Sequence, residues 1–267
     1  MQTASLGTLV KDWRARRRVS QLELAHRVGV STRHLSFVET GRSRPSPELV
    51  TALGIELEVP LREQNTMLMA AGYAPRYPHT SLDAEAADAA RSAVTRILDA
   101  HDPFPGVAVD RGWDVIVHNQ AAGMLLSLVS PELSVPPVNV YRMSLHPDGL
   151  AKYTLNLPEW GAAMLRQLRR DLAVTGDPRL ESLLDDISRY PAMSEIEAGI
   201  EASGHDLVVP FRVSVGGMEL AFFTTLTTFG TPRDITFDEL AIELFYPLDA
   251  ATRAALGEAA TPQRPLR

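Results

Sequence analysis

The chain has 267 residues, 45% of them hydrophobic and 22% charged, with no cysteine and a net charge of −7. That is the make-up of a soluble protein of about two domains with a core of useful size. It excludes disulfides, thiolate metal sites and a cysteine nucleophile, and a reducing, cytoplasmic setting is expected. The opening MQTASLGTLVKDWRARRR is polar and amphipathic rather than signal-like. No stretch approaches the roughly 18 apolar residues of a membrane span, so no membrane partner is expected. The charge is unevenly spread. Residues 1–47 hold nine Lys or Arg against three Asp or Glu, a balance of +6, which leaves −13 on the other 220. A basic N-terminal unit joined to an acidic body suits contact with phosphates on one part only.

Leu6, Leu9, Val10 and Trp13 recur with helical spacing and predict a first helix. Ser20 to Glu23 reads as a capping box starting a second, with Val19 and Leu24 placed as a hydrophobic staple. Gly29 ends it. Ser31 caps a third helix with Leu35 and Val38 facing inward, and Gly41 ends that one. Ser46-Pro47 opens a fourth, and a fifth runs from near Pro60 to Gly72. Residues 1–72 are therefore expected to form a mainly α five-helix bundle, and 73–81 (YAPRYPHTS, with two prolines) a linker.

A second domain is expected over 82–256. A helix at 82–101 precedes two strands, GVAVD and WDVIVHN, around a tight turn at Arg111-Gly112. Helices follow at 119–129, 139–145, 158–175, 178–189 and 194–202. Two carry clear starts, Asp177-Pro178 and a capping box from Ser194 to Glu197. LVVPFRVSV and MELAFFTTLTTF flank Gly216-Gly217, a hairpin signal, and a last strand covers 240–246. Residues 257–267 read as a flexible tail. Two strands, a set of helices, then three antiparallel strands is the order of an α+β, PAS-like domain, with a pocket between sheet and helices.

Ser20 to Gly41 has the form of a helix-turn-helix, whose second helix can lie in a DNA major groove. The small Ala25 sits where the helices cross. Thr32, Arg33, Ser36 and Phe37 then face outward. The Arg33 fork matches guanine O6 and N7, Thr32 and Ser36 can donate to bases or phosphates, and Phe37 can touch a thymine methyl. Ser31 lies at the helix start. Gln21, at the start of the preceding helix, is expected at the phosphate backbone, as are Arg42 and Arg44. A capped helical hairpin also occurs in bundles that never meet DNA, but here the local basic charge accompanies it.

The segment LVKDWRARRRVSQLELAHRVGVSTRHLSFVETGRSRPSPELVTAL resembles the phage Cro/repressor type of helix-turn-helix, the XRE family, over about residues 6–71. The resemblance implies a bacterial transcription regulator that binds double-stranded DNA. It also implies that Arg14 and Glu39 form a partly buried structural pair that locks the recognition helix. Paired recognition helices about one DNA turn apart read a palindromic operator, so a homodimer is expected.

FPGVAVDRGWDVIVHNQAAGMLL, NVYRMSLHPDGL and LPEWGAAMLRQLRRDL resemble the C-terminal domain of MmyB-like regulators, over about 85–255. The resemblance implies a PAS-like sensory domain able to hold a fatty-acid-like molecule. Trp113, Trp160, Phe222 and Leu226 can supply apolar walls for such a small apolar ligand, and Asn119, Arg142 and His146 polar anchors, a guanidinium suiting a carboxylate. Each has a plainer structural reading as well: core for Trp113 and Phe222, surface for Arg142, a helix cap for Asn119, a turn for His146.

No cofactor is implied beyond a possible bound fatty acid or similar lipid. An enzyme fused to a DNA anchor finds no support. There is no phosphate-binding glycine loop, no HExxH, no serine elbow, and the seven histidines have no metal spacing. Two readings stay open for the second domain: ligand sensing, or binding a protein partner or only dimerising.

Overall fold

Four serines start four helices. The Oγ atoms of Ser5, Ser20, Ser31 and Ser46 each accept the backbone N–H three residues on, at 3.1–3.3 Å. They cap α1 (Leu6–Arg16), α2 (Gln21–Arg27), α3 (Thr32–Glu39) and α4 (Pro47–Glu56). The expected capping box at Ser20 is only half formed, because the Glu23 carboxylate pairs with Arg27 instead. α5 (Leu61–Ala70) follows Pro60, which has no capping side chain. The cap comes from far along the chain: Asp238 Oδ2 accepts the Leu61 N–H at 3.1 Å.

The computed structural model describes residues 4–81, 85–202, 208–230 and 232–257. They divide into two compact units. The first comprises the chain up to Ser81 with Ala173–Thr175 and Gly230–Asp238, and the second is the remainder. The first unit's core is the apolar stripe of each helix: Leu6, Val10 and Trp13 from α1, Leu24 and Ala25 from α2, Leu35 and Val38 from α3, Leu53 from α4, Met67 and Leu68 from α5. Val19 and Leu24 are both buried, as a staple requires.

Residues 73–81, expected as a plain linker, are tied down in this unit. Asn65 Oδ1 accepts the N–H of Arg76 and of Tyr77, and Tyr77 Oη donates to Gln64 Oε1 at 3.0 Å. Asp234 Oδ2 accepts the Thr80 N–H, and Thr236 Oγ1 donates to the Thr80 carbonyl.

In the second unit, α6 (Asp88–Asp99) precedes β1 (Gly106–Val109) and β2 (Val115–His118). Helices α7 (Gln120–Leu126), α8 (Val140–Leu145), α9 (Leu157–Thr175), α10 (Pro178–Ile187) and α11 (Met193–Ala202) follow. Then come β3 (Phe211–Val215), β4 (Met218–Thr228) and β5 (Ala241–Pro247). The strands form one antiparallel sheet in the order β2-β1-β5-β4-β3. Gly216 and Gly217 both have positive φ, +58° and +80°, as a tight hairpin demands. Register puts Val107, Glu243 and Leu226 side by side on one sheet face, with Phe245 and Thr224 as the next pair. On that face lies the main core, with Tyr141, Trp160, Leu165, Leu168, Leu180 and Leu183 from the helices.

Among the described residues the expected helices and strands are present within a few residues, and positions 82–84 of the first expected helix and 207 of the strand LVVPFRVSV lie outside the described residues. Among the described residues, four short elements were not foreseen: 3₁₀ turns at Pro131–Ser134 and Leu150–Tyr153, and helices Ile235–Asp238 and Ala250–Ala255. Each is under two turns long, too short for a periodic signal. The capping box at Ser194 does not form. α11 begins at Met193, so Ser194 lies inside the helix, and Glu197 pairs with Arg169 at 3.0 Å. The tail from 258 onward lies outside the described residues. Among the described residues no helix is long and apolar enough to cross a membrane.

Candidate functional site

Two sites stand out, one in each unit. In the first, the turn between α2 and α3 needs a residue at positive φ, and Gly29, at +71°, supplies it. Ser31 then serves as the α3 cap. Leu35 and Val38 are 0% and 2% exposed and pin the helix to the core.

The C-terminal end of α3 is fixed by a charged cage. Arg14 donates from Nε and Nη2 to both oxygens of Glu39, at 3.0 and 3.3 Å, and from Nη1 to the Val19 carbonyl. Gln21 Nε2 donates to Glu39 Oε2 at 2.9 Å. The Glu39 side chain is only 2% exposed, so a carboxylate there needs all these donors. Backbone closeness adds to the cage. A Cβ on Gly7 of α1 would lie 2.3 Å from the Glu39 carbonyl oxygen, so only glycine fits.

This arrangement joins Arg14 and Glu39 as the resemblance implied. It gives Gln21 a different task from the phosphate contact expected of it, because its amide is turned onto Glu39. Arg44 also departs from expectation. Its guanidinium caps α5 by donating to the carbonyls of Ala71 and Gly72, at 3.0 and 3.1 Å, and stacks over Tyr73. The Gly72 and Tyr73 N–H groups close the end of α5 on the carbonyls of Met69 and Leu68, and a loop arginine takes the carbonyls left beyond them. Arg33 is exposed and lies 5.4 Å over the half-buried Phe37 ring, which holds the guanidinium on the outer face of α3. Thr32 and Ser36 are half-buried on the same helix, and Arg42 is exposed just beyond it.

In the second unit a cavity of about 520 Å³ opens between sheet and helices. Val107, Thr224, Leu226, Glu243 and Phe245 form its sheet wall, and Trp113, Tyr141, Trp160 and Met164 stand opposite. Trp113 has an unusual backbone, φ +65°. The Asp110 carboxylate holds that turn by accepting the N–H of Gly112 and of Asp114. Indole Nε1 donates to Asp171 Oδ2 at 3.1 Å, and the ring meets Tyr141 edge-on. Burial pushes the Asp171 carboxyl up, against hydrogen bonds from Trp113 and Gln167 and the charge of Arg170.

Three expected ligand residues, Trp113, Trp160 and Leu226, line this cavity, and four do not. Phe222 is core, 1% exposed, packed on Phe211 and Phe245. Asn119 caps α7 and bridges β1: its Oδ1 accepts from Gly106 and Ala122, and its Nδ2 donates to the Leu98 and Phe104 carbonyls. Arg142 pairs with Asp186 at 2.6 Å. His146 Nδ1 accepts the Asp148 N–H, and its ring meets Tyr190.

Sequence reasoning missed the polar lining. Arg166, Gln167 and Arg170 lie on α9 with Ala163 at helical spacing, one stripe facing the cavity. Glu243 is the one acid in the strand AIELFYP, an interruption of an apolar run that could have marked it. Burial pushes its carboxyl up to about 7, against a hydrogen bond with Thr224. A buried ion-pair group stabilises the β1–β2 turn: Arg111 meets Asp177 at 2.9 Å and Glu239 at 3.3 Å, and Arg179 meets Asp177 and Asp110. Although burial opposes it, hydrogen bonds from Arg179 and the nearby Arg111 charge hold the Asp177 carboxyl below its ordinary range.

Residues 90–259 match the family described as the MmyB-like transcription regulator ligand binding domain, and residues 10–64 match a helix-turn-helix family. No curated protein matches the chain. The first match covers more than half of the chain and contains the cavity, while the second contains α3 and its cage. The chain therefore belongs to the MmyB-like family, as a ligand-responsive, DNA-binding transcription regulator with an XRE-type helix-turn-helix ahead of its ligand-binding domain.

Proposed function

We propose that the protein reads a palindromic operator as a homodimer through Arg33 and its neighbours on α3, and that a fatty-acid-like ligand in a PAS-like second domain biases that binding. The observation that carries the DNA half is the cage at Glu39. It consumes Arg14 and Gln21 internally and leaves the outer face of α3, with Thr32, Arg33, Ser36 and Phe37, to a groove. Arg42 follows as a phosphate contact.

The PAS-like reading is supported by the strand order β2-β1-β5-β4-β3. The ligand reading is supported by an apolar cavity of about 520 Å³ with guanidinium groups on one wall, since a carboxylate pairs well with arginine. Arg166 and Arg170 replace Arg142 as the expected anchors. A route for the bias exists in the chain itself. β4 and β5 line the cavity, and the connection between them contributes Gly230–Asp238 to the first unit. A ligand shifts such a balance only as far as it prefers one arrangement.

Footprinting on the DNA flanking the protein's own gene, with and without dodecanoate, tests this. Paired protection with half-sites about one helical turn apart, altered by the acid, is expected. Arg33→Ala should lose specific protection while keeping the fold, at a cost of about 1–3 kcal/mol. Equal protection of the same site by the variant would show that Arg33 does not read it.

A further inference from the structure

On the helix side of the cavity Tyr141 and Gln167 are already engaged. Tyr141 Oη donates to the Met164 carbonyl at 3.2 Å. The Gln167 amide is used at both ends, its nitrogen on Asp171 and its oxygen accepting from Arg170. What remains on the sheet wall is Glu243, which pairs in register with Val107 on one side and Leu226 on the other. Its companion is the Thr224 hydroxyl.

A plain acyl chain laid along this wall would strip water from the Glu243 carboxyl and return no hydrogen bond. Buried polar groups left in that state are costly. Core-facing strand positions ordinarily hold apolar residues, so a carboxyl here needs a partner beyond Thr224 for its remaining hydrogen-bonding capacity, and that partner has to enter with the ligand. The titratable and charged groups facing the same space are Tyr141 on α8 and Arg166 and Arg170 on α9. These arginines suit the acid end of the ligand.

We infer that the ligand carries a hydroxyl group on its apolar body and that Glu243, with Thr224, receives it: the cavity selects a hydroxylated fatty acid over the plain one. This rests on the fatty-acid-like reading above. A hydroxyl fits better than an amino group because it both donates and accepts. It satisfies Glu243 whether the carboxyl is ionised or protonated, and burial brings both forms within the neutral range. An ammonium would serve the ionised form alone.

The test is calorimetric titration of the full chain, at mildly alkaline pH, with dodecanoate and with a positional series of hydroxydodecanoates. At least one hydroxylated isomer should bind about tenfold tighter than dodecanoate, as one charge-assisted hydrogen bond allows. In Glu243→Leu the order should reverse, with dodecanoate binding tighter than it does to the unaltered protein. Should that variant not fold, Glu243→Gln replaces it, and there dodecanoate should gain at least about threefold because no charge is stripped of water. If every isomer binds no better than dodecanoate, or if neither variant changes the plain acid's affinity, the hydroxyl inference is overturned while the fatty-acid reading stands. If no acid of the series binds, both fall together.

Discussion

Replacing Glu243 by Gln should make the second unit more stable in alkali and change little in acid. The side chain keeps its size and loses its charge. Burial raises the folded-state value from the ordinary 4.5 to about 7. A carboxyl raised on folding contributes stability that is fully present below 4.5 and is lost as the pH rises through about 7. The full difference converts to roughly 3 kcal/mol once the group is ionised. The side chain faces a cavity that water can enter, so about 2 kcal/mol is the better expectation. In a domain of this size that is about 4–8 °C in Tm. The chain has three tryptophans, of which Trp113 and Trp160 lie in the second unit. Thermal melts followed by fluorescence in a Trp13→Phe background therefore report on that unit. The variant-minus-parent difference in Tm should widen from pH 5 to pH 8 by about that amount. Parallel profiles over that range would mean that Glu243 does not change its protonation on folding, and the account of the sheet wall would be wrong.

Glu39→Ala should strand Arg14 and Gln21 without their acceptor. The loss is about 2–4 kcal/mol in urea unfolding of the first unit, with DNA affinity falling in step. A double variant with Arg14→Leu should recover part of it, and no recovery would count against the cage. Asp238→Ala should remove the side chain that caps the N-terminus of α5. It should lower the first unit's stability by about 1 kcal/mol, read through Trp13 fluorescence in urea, with Asp238→Asn close to the parent. Equal losses for both substitutions would show that the carboxamide oxygen cannot take over the cap.

Much of the order of elements was legible because many starts carry a local mark. Ser5, Ser20, Ser31, Ser46, Asn119, Asn139 and Asp177 cap helices with their own side chains. A cap is a bond to a residue two or three places on, so it is written where it acts. The Gly216-Gly217 hairpin is equally local. The failures are of the opposite kind. Ser194 and Glu197 have the spacing of a capping box, yet α11 begins before them and Glu197 turns to Arg169.

The amino-acid sequence by itself determined the helix-turn-helix, its turn glycine, the outward face of α3 and the family of both units. Periodicity, caps and charge are properties of neighbouring residues. Only the tertiary structure decided which polar side chains serve the fold and which face a partner. Gln21 and Arg44 look free for phosphate until Glu39 and the end of α5 are placed beside them. Asn119 and Arg142 look like anchors until four backbone groups and Asp186 claim them. Glu243 acquires its meaning from Leu226 and Val107, residues far apart in the chain that strand pairing sets on one wall. A polar group goes to the nearest unsatisfied partner in space, and that neighbour is fixed by packing rather than by position in the chain.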